Sequence, residues 1–241
     1  MHLLSNLHER LLISAIALFI VVNTVYYGGA IHIGGPITAA PAAPPSGASA
    51  PVRADLVAES DASPDLPGRF VPTQGRQHTA QYPIVHVEFC PTDQVRSDCY
   101  ASNPPTSGLH LPVQPLVVLP DGHRLKIPPD PGLYAFAIPR EAIPHIEEHA
   151  GVYVGYNCAS AGCDRVVDEI TTVVRQELSL GARVVLSPDP DLAPGTVGLA
   201  AWTRVDVFPA TAYTDARVRS FIKAHSCRFD PEHFCKPPVI N

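Results

Sequence analysis

The sequence predicts an α+β domain: a small mixed sheet with two main helices and a long proline-rich loop region, preceded by one transmembrane helix. Three observations carry that prediction. Residues 11–31 are apolar and uncharged, the segments beyond residue 82 switch between strand-like alternation and helical spacing, and the 27 prolines of the 241 residues gather mainly in 36–72 and 103–144.

Each element follows in chain order. Residues 1–10 read as a cytoplasmic N-terminus, and 11–31 hold an uncharged run long enough to cross a bilayer as a signal anchor. Arg10 before the run and the interfacial pair Tyr26 and Tyr27 favour an N-inside, single-pass topology in an inner or plasma membrane, with the C-terminal domain extracytoplasmic, periplasmic or exterior. A cleaved signal peptide, with Ala39, Ala40 and Ala42 as cleavage context, is the alternative. Residues 32–75 form a Pro/Ala-rich linker that cannot bury a core.

The globular domain is expected over 76–241. Tyr82 to Phe89 alternates as a strand with Ile84, Val85 and Val87 buried or half-buried, and Gly151 to Tyr156 is a second strand. Asp164 caps a helix carrying Val166, Ile170, Val173, Val174 and Leu178 on one face, closed by Gly181. Arg183 to Leu186 is a short strand, Val197 to Phe208 a further one, and Thr214 caps a last helix with Val218, Phe221, Ile222 and His225 on one face. Between Asn103 and Pro144, prolines and glycines predict long packed loops instead of regular structure.

The balance of 46% hydrophobic and 17% charged residues, with net charge −6, excludes disordered and nucleic-acid-binding classes, since no basic run is present. Six cysteines beyond the linker fit an oxidising compartment. Proximity suggests the pairs Cys90 with Cys99, Cys158 with Cys163 and Cys227 with Cys235, among the 15 pairings that six cysteines allow.

Two segments carry candidate chemistry. In Asn103 to His110, prolines stiffen the backbone and Gly108 permits a turn that delivers His110. In Pro144 to Gly151, a helix of about two turns is bracketed by proline at its start and glycine just past its end. His145 and His149, four apart, share one helical face with Glu148 beside them. Together with His110 they could hold a zinc or copper ion; the only methionine is Met1, which disfavours a thioether copper(I) site.

Several ordered motifs resemble the domain-of-unknown-function 3105 family over roughly residues 82–235. They are the PPTSG-x-H turn ending at His110, Gly132-Leu133-Tyr134, the H-x-x-E-H from His145 to His149, Ser187-Pro188-Asp189-Pro190-Asp191-Leu192, Ala201-Trp202-Thr203-Arg204, and Phe221-Ile222 leading to Pro231-Glu232. The resemblance implies a secreted or membrane-anchored bacterial protein whose biochemical function is not established, and it marks His110, His145, Glu148 and His149 as matching motif positions. The family pattern has glycine where Ala150 and Thr203 stand, and proline where Leu109 stands.

Three other functions compete with metal or small-ligand binding. H-x-x-E-H is also the inverted zinc-peptidase motif, but Pro144 and Gly151 bracket a helix too short for it. Cys158 and Cys163 follow a strand and precede a helix, the place where thioredoxin-like folds carry redox cysteines, although four residues separate them. A single anchor, a tether and a compact domain also describe a non-catalytic accessory subunit of a membrane complex.

Overall fold

The computed structural model describes residues 58–79, 84–91, 94–158 and 163–235. Contacts divide the chain into residues 1–49 and 50–241, and every described residue belongs to the second unit. The expected cytoplasmic N-terminus, transmembrane helix and linker up to residue 57 lie outside the described residues. Among those described, no helix is long and apolar enough to cross a membrane.

The backbone builds an α+β domain. Its strands are β1 (Arg69–Phe70), β2 (Gln114–Val118), β3 (Arg124–Ile127), β4 (Gly132–Leu133), β5 (Val152–Asn157), β6 (Val184–Pro188), β7 (Thr196–Ala201) and β8 (Arg204–Pro209). Its named helices are α1 (Ile143–Glu148), α2 (Asp164–Ser179) and α3 (Asp215–His225). Six strands form a mixed sheet in the order β1-β8-β7-β5-β6-β4, and β2 with β3 makes a separate hairpin. β4, β6 and β5 are parallel, whereas β7, β8 and β1 join by antiparallel pairing. The parallel step from β5 to β6 needs a crossover, which α2 supplies.

Period-two alternation sorts the core into two layers. Val152, Val154, Val184, Leu186, Val197 and Leu199 face α2 and α3, meeting Ile170, Val173, Phe221 and Ile222. Tyr153, Val185 and Ala200 face the other way, against Leu111, the hairpin and Ile143 and Ile146 of α1. Covering both faces makes the central strands apolar at successive positions, as in Val152-Tyr153-Val154. The consequence for the site is that α1 is clamped between sheet and loops, with all six of its residues buried.

Several expectations are corrected. Residues 84–88 form no strand, and Val85 is 59% exposed. Backbone bonding there goes elsewhere: Val87 N donates to Glu141 Oε1 at 2.7 Å, and Glu88 O accepts from Tyr100 N at 2.9 Å. The stretch 103–144, expected as loops, contains β2, β3 and β4. Pro115 is accommodated where the register shifts between Gln114 and Val117, a place that needs no ladder N–H. The expected strand from Val197 to Phe208 is a hairpin of β7 and β8, folded at Trp202 and Thr203. Trp202 is buried in that turn, stacked on Phe229 at 4.5 Å between ring centroids.

Helix ends differ in detail. The N-cap of α2 is Cys163, one residue before Asp164, and gives no side-chain cap bond. Thr214 does cap α3, its hydroxyl accepting from Arg217 N at 3.2 Å. The folded body also begins before the expected boundary at residue 76. β1 pairs with β8, Val71 is buried, and Arg204 donates to the carbonyls of Asp61, Ser63 and Gly68 at 2.6, 2.9 and 3.1 Å. Residues 58–75 are therefore held on the domain by a buried guanidinium and a strand pairing.

Three disulfides join Cys90 to Cys99, Cys158 to Cys163 and Cys227 to Cys235, leaving no free cysteine. Such usage suits an oxidising, extracytoplasmic compartment.

Candidate metal centre

Three segments converge on one end of β5. Residues 75–79 run beside 108–110: Gly75 O accepts from Gly108 N at 2.8 Å, Gln77 O from His110 N at 2.9 Å, and His110 O from Thr79 N at 2.7 Å. This ladder sets His78 beside His110. Gly108, at φ 104°, makes the turn that an L side chain resists.

The third segment is α1, entered through the 3-10 turn Arg140–Ala142 and carrying proline in its first turn. Its end departs from expectation, because the left-handed residue is Ala150, at φ 64°, and not Gly151. Gly151 is required for a different reason. Its N–H donates to Ile146 O at 2.9 Å, and a Cβ there would lie 2.6 Å from that oxygen.

Ligand atoms of His78, His110, His145 and Glu148 lie within 4.8 Å of one another; His78 is exposed and the other three are buried. His110 Nδ1 is 2.9 Å from Gly108 O, and His145 Nδ1 is 2.7 Å from Leu111 O. A carbonyl only accepts, so each Nδ1 carries the hydrogen, and the neutral ring presents a lone pair at Nε2. Metal-binding imidazoles are oriented by this kind of outer hydrogen bond.

His110 Nε2 lies 3.0 Å from Glu148 Oε2, out of line for a hydrogen bond. It is fully buried with no hydrogen-bond partner among the described residues. In a tetrahedral site with ligands at 2.0–2.1 Å, donor atoms lie roughly 3.3 Å apart, so this spacing is close to that of two donors sharing an ion.

Electrostatics favours the ligand forms. Burial, reinforced by His110 and His149, lowers the pKa of His145 to about 4 and keeps it neutral. Burial alone would raise Glu148, but the groups it faces, among them the Arg76 guanidinium 3.6 Å away, outweigh it and hold the carboxyl below its ordinary value. Metal binding needs such a neutral imidazole and an ionised carboxylate.

His149 lies outside the group of four. Its Nε2 is 3.2 Å from His145 Nε2 and 3.3 Å from Glu232 Oε2, and its ring stacks on Phe234 at 4.2 Å. The Cys227–Cys235 disulfide closes the loop that supplies Glu232 and Phe234. Of the residues expected from sequence, the fold thus brings His110, His145 and Glu148 into one group and sets His149 at its edge. His78 had no motif around it; its only signal is a histidine just ahead of the first expected strand.

Residues 120–236 match the family model described as a protein of unknown function, DUF3105. This stretch belongs to the DUF3105 family. No curated protein and no solved structure matches the chain. His145, Glu148 and His149 fall inside the span matched to DUF3105, whereas His78 and His110 precede it. The glycines expected from the DUF3105 pattern at the positions of Ala150 and Thr203 acquire a physical reason. Both residues are left-handed, at φ 64° and 63°.

Proposed function

We propose that this DUF3105 protein binds a zinc or copper ion through His78, His110, His145 and Glu148, with His149 bordering the site, outside a membrane to which residues 11–31 anchor it. The carrying observation is His110 Nε2, fully buried and without a hydrogen-bond partner among the described residues, in a group of four ligand atoms that lie within 4.8 Å of one another. An unpartnered buried polar atom costs about 1–3 kcal/mol, and a cation between His110 and Glu148 removes that cost.

The donor set favours zinc or copper(II), which accept neutral imidazole and carboxylate. A soft copper(I) site lacks thiolates here, because all six cysteines are bridged. Four protein donors would be enough to fill a four-coordinate shell, the pattern of a binding centre rather than of a catalytic ion with an open position. His78 is the exposed member of the group.

Titration of the metal-free full-length chain in mild detergent with zinc and with copper(II) tests the reading. One site should saturate, and His110→Gln and Glu148→Gln should each weaken it at least about 10-fold. Wild-type affinity in both variants would overturn the assignment.

A further inference from the structure

The opposite end of β5 carries a second constellation that the metal reading does not use. Cys158 directly follows β5, and Cys163 is the N-cap of the 16-residue helix α2. Their disulfide links the end of the strand to the start of the helix in a βαβ unit, the place where thioredoxin-like folds carry redox cysteines. Cys158 is partly exposed and Cys163 is buried, so only one sulfur of the bridge is open to attack.

Two further observations single out this disulfide. Cys158 lines a groove of about 380 Å³ with Tyr156, Pro188, Asp189 and Pro190, at the carboxyl ends of parallel β5 and β6. Ligands of sheets with parallel strands gather at such ends. A larger, mainly apolar pocket of about 720 Å³, lined by Ile84, Leu119, Ile138 and Arg140, shares Ala137 and Pro190 with it.

Asp189, in the same groove, is 5% exposed, and its Oδ2 has no hydrogen-bond partner among the described residues. Burial raises its carboxyl to about 6, so it exchanges protons near neutrality. The other bridges differ. Cys90–Cys99 closes a loop, and Cys227 follows the C-terminal end of α3, where the helix dipole disfavours a thiolate.

We propose that Cys158–Cys163 is a redox-active disulfide that oxidises a dithiol reaching Cys158 through this groove. A thiolate of the dithiol attacks Cys158 Sγ, the Cys158–Cys163 bond breaks, and its electron pair leaves on Cys163 Sγ at the helix N-terminus. The second thiolate of the dithiol then attacks the mixed disulfide and releases Cys158. The partner ends with a disulfide, oxidised by two electrons, and its two protons end on Cys158 and Cys163, with Asp189 as the acid–base group in the groove. A stabilised leaving thiolate speeds the first step. This assignment stands independently of the metal site.

The test equilibrates the full-length protein in mild detergent with graded ratios of reduced to oxidised dithiothreitol. Alkylation and peptide mass spectrometry then follow all three bridges. Cys158–Cys163 should open at a ratio at least about 100-fold lower than either other bridge. In a second arm with oxidised glutathione, Cys163→Ser should form a mixed disulfide on Cys158, while Cys158→Ser should leave buried Cys163 unmodified. Opening of Cys158–Cys163 together with or after the other bridges would overturn the proposal, as would equal modification of the two variants. The wild-type titration decides by itself if a variant does not fold.

Discussion

Gly151→Ala probes how α1 is held at the metal centre. A Cβ at this position would lie 2.6 Å from Ile146 O and 2.7 Å from Ile146 Cγ2. Ile146 is 3% exposed and packed in the core layer with Tyr153 and Val185, so its side chain has little room to yield. The backbone must move instead, lengthening the 2.9 Å bond from Gly151 N to Ile146 O. Overpacking costs about 1–3 kcal/mol and a weakened hydrogen bond about 0.5–1.5 kcal/mol. A loss of about 2–4 kcal/mol is expected in urea denaturation followed by far-ultraviolet circular dichroism, with an unchanged m-value. Because α1 carries His145 and Glu148, zinc affinity should fall in the same variant. Ala150→Gly is the control: relief of its left-handed backbone, about 1–2 kcal/mol, is offset by lost methyl burial and added chain entropy, leaving stability within about 1 kcal/mol. A Gly151→Ala midpoint equal to wild type, or an equal loss in Ala150→Gly, would refute the close-approach argument.

Further outcomes are expected elsewhere. Burial holds His225 down to about 4, against the carbonyl of Pro67 and with help from Arg228 and Arg204. Relative to an unfolded value near 6.5, its neutral form contributes about 3 kcal/mol that is present above pH 6.5 and lost as pH falls toward 4. Urea midpoints of His225→Gln should fall less steeply over that window, and an identical slope would contradict the linkage. Arg204→Ala removes the donor to three carbonyls and should cost about 2–4 kcal/mol while exposing residues 58–75 to limited proteolysis; resistance equal to wild type would count against the clamp. His149→Ala should weaken zinc by about 10–100-fold, as for residues outside the ligand shell, and retain one site; abolished binding would make it a ligand.

The sequence-based reading worked best where burial and local spacing agree. α2 and α3 were visible because Val166, Ile170 and Val173, and Val218, Phe221 and Ile222, recur at helical intervals facing one layer. The β7–β8 turn was hidden because Thr203 takes a left-handed conformation that its residue type does not advertise. The hairpin β2–β3 was obscured by Pro115 at a register shift, although Asp121-Gly122 and the alternation of Leu125 and Ile127 carried its signal. The same division applies to the site. His145 and Glu148 are joined by one short helix and could be paired from spacing. His78 reaches them only through a non-local ladder with His110, which no local pattern encodes.

The most direct test of the metal-centre account is elemental analysis of the purified full-length protein, without a metal-binding tag, beside the His110→Ala/His145→Ala double variant. After incubation with zinc or copper(II) and removal of excess, the account predicts about one ion per wild-type chain and none in the variant. No metal in either protein, or equal metal in both, would contradict it.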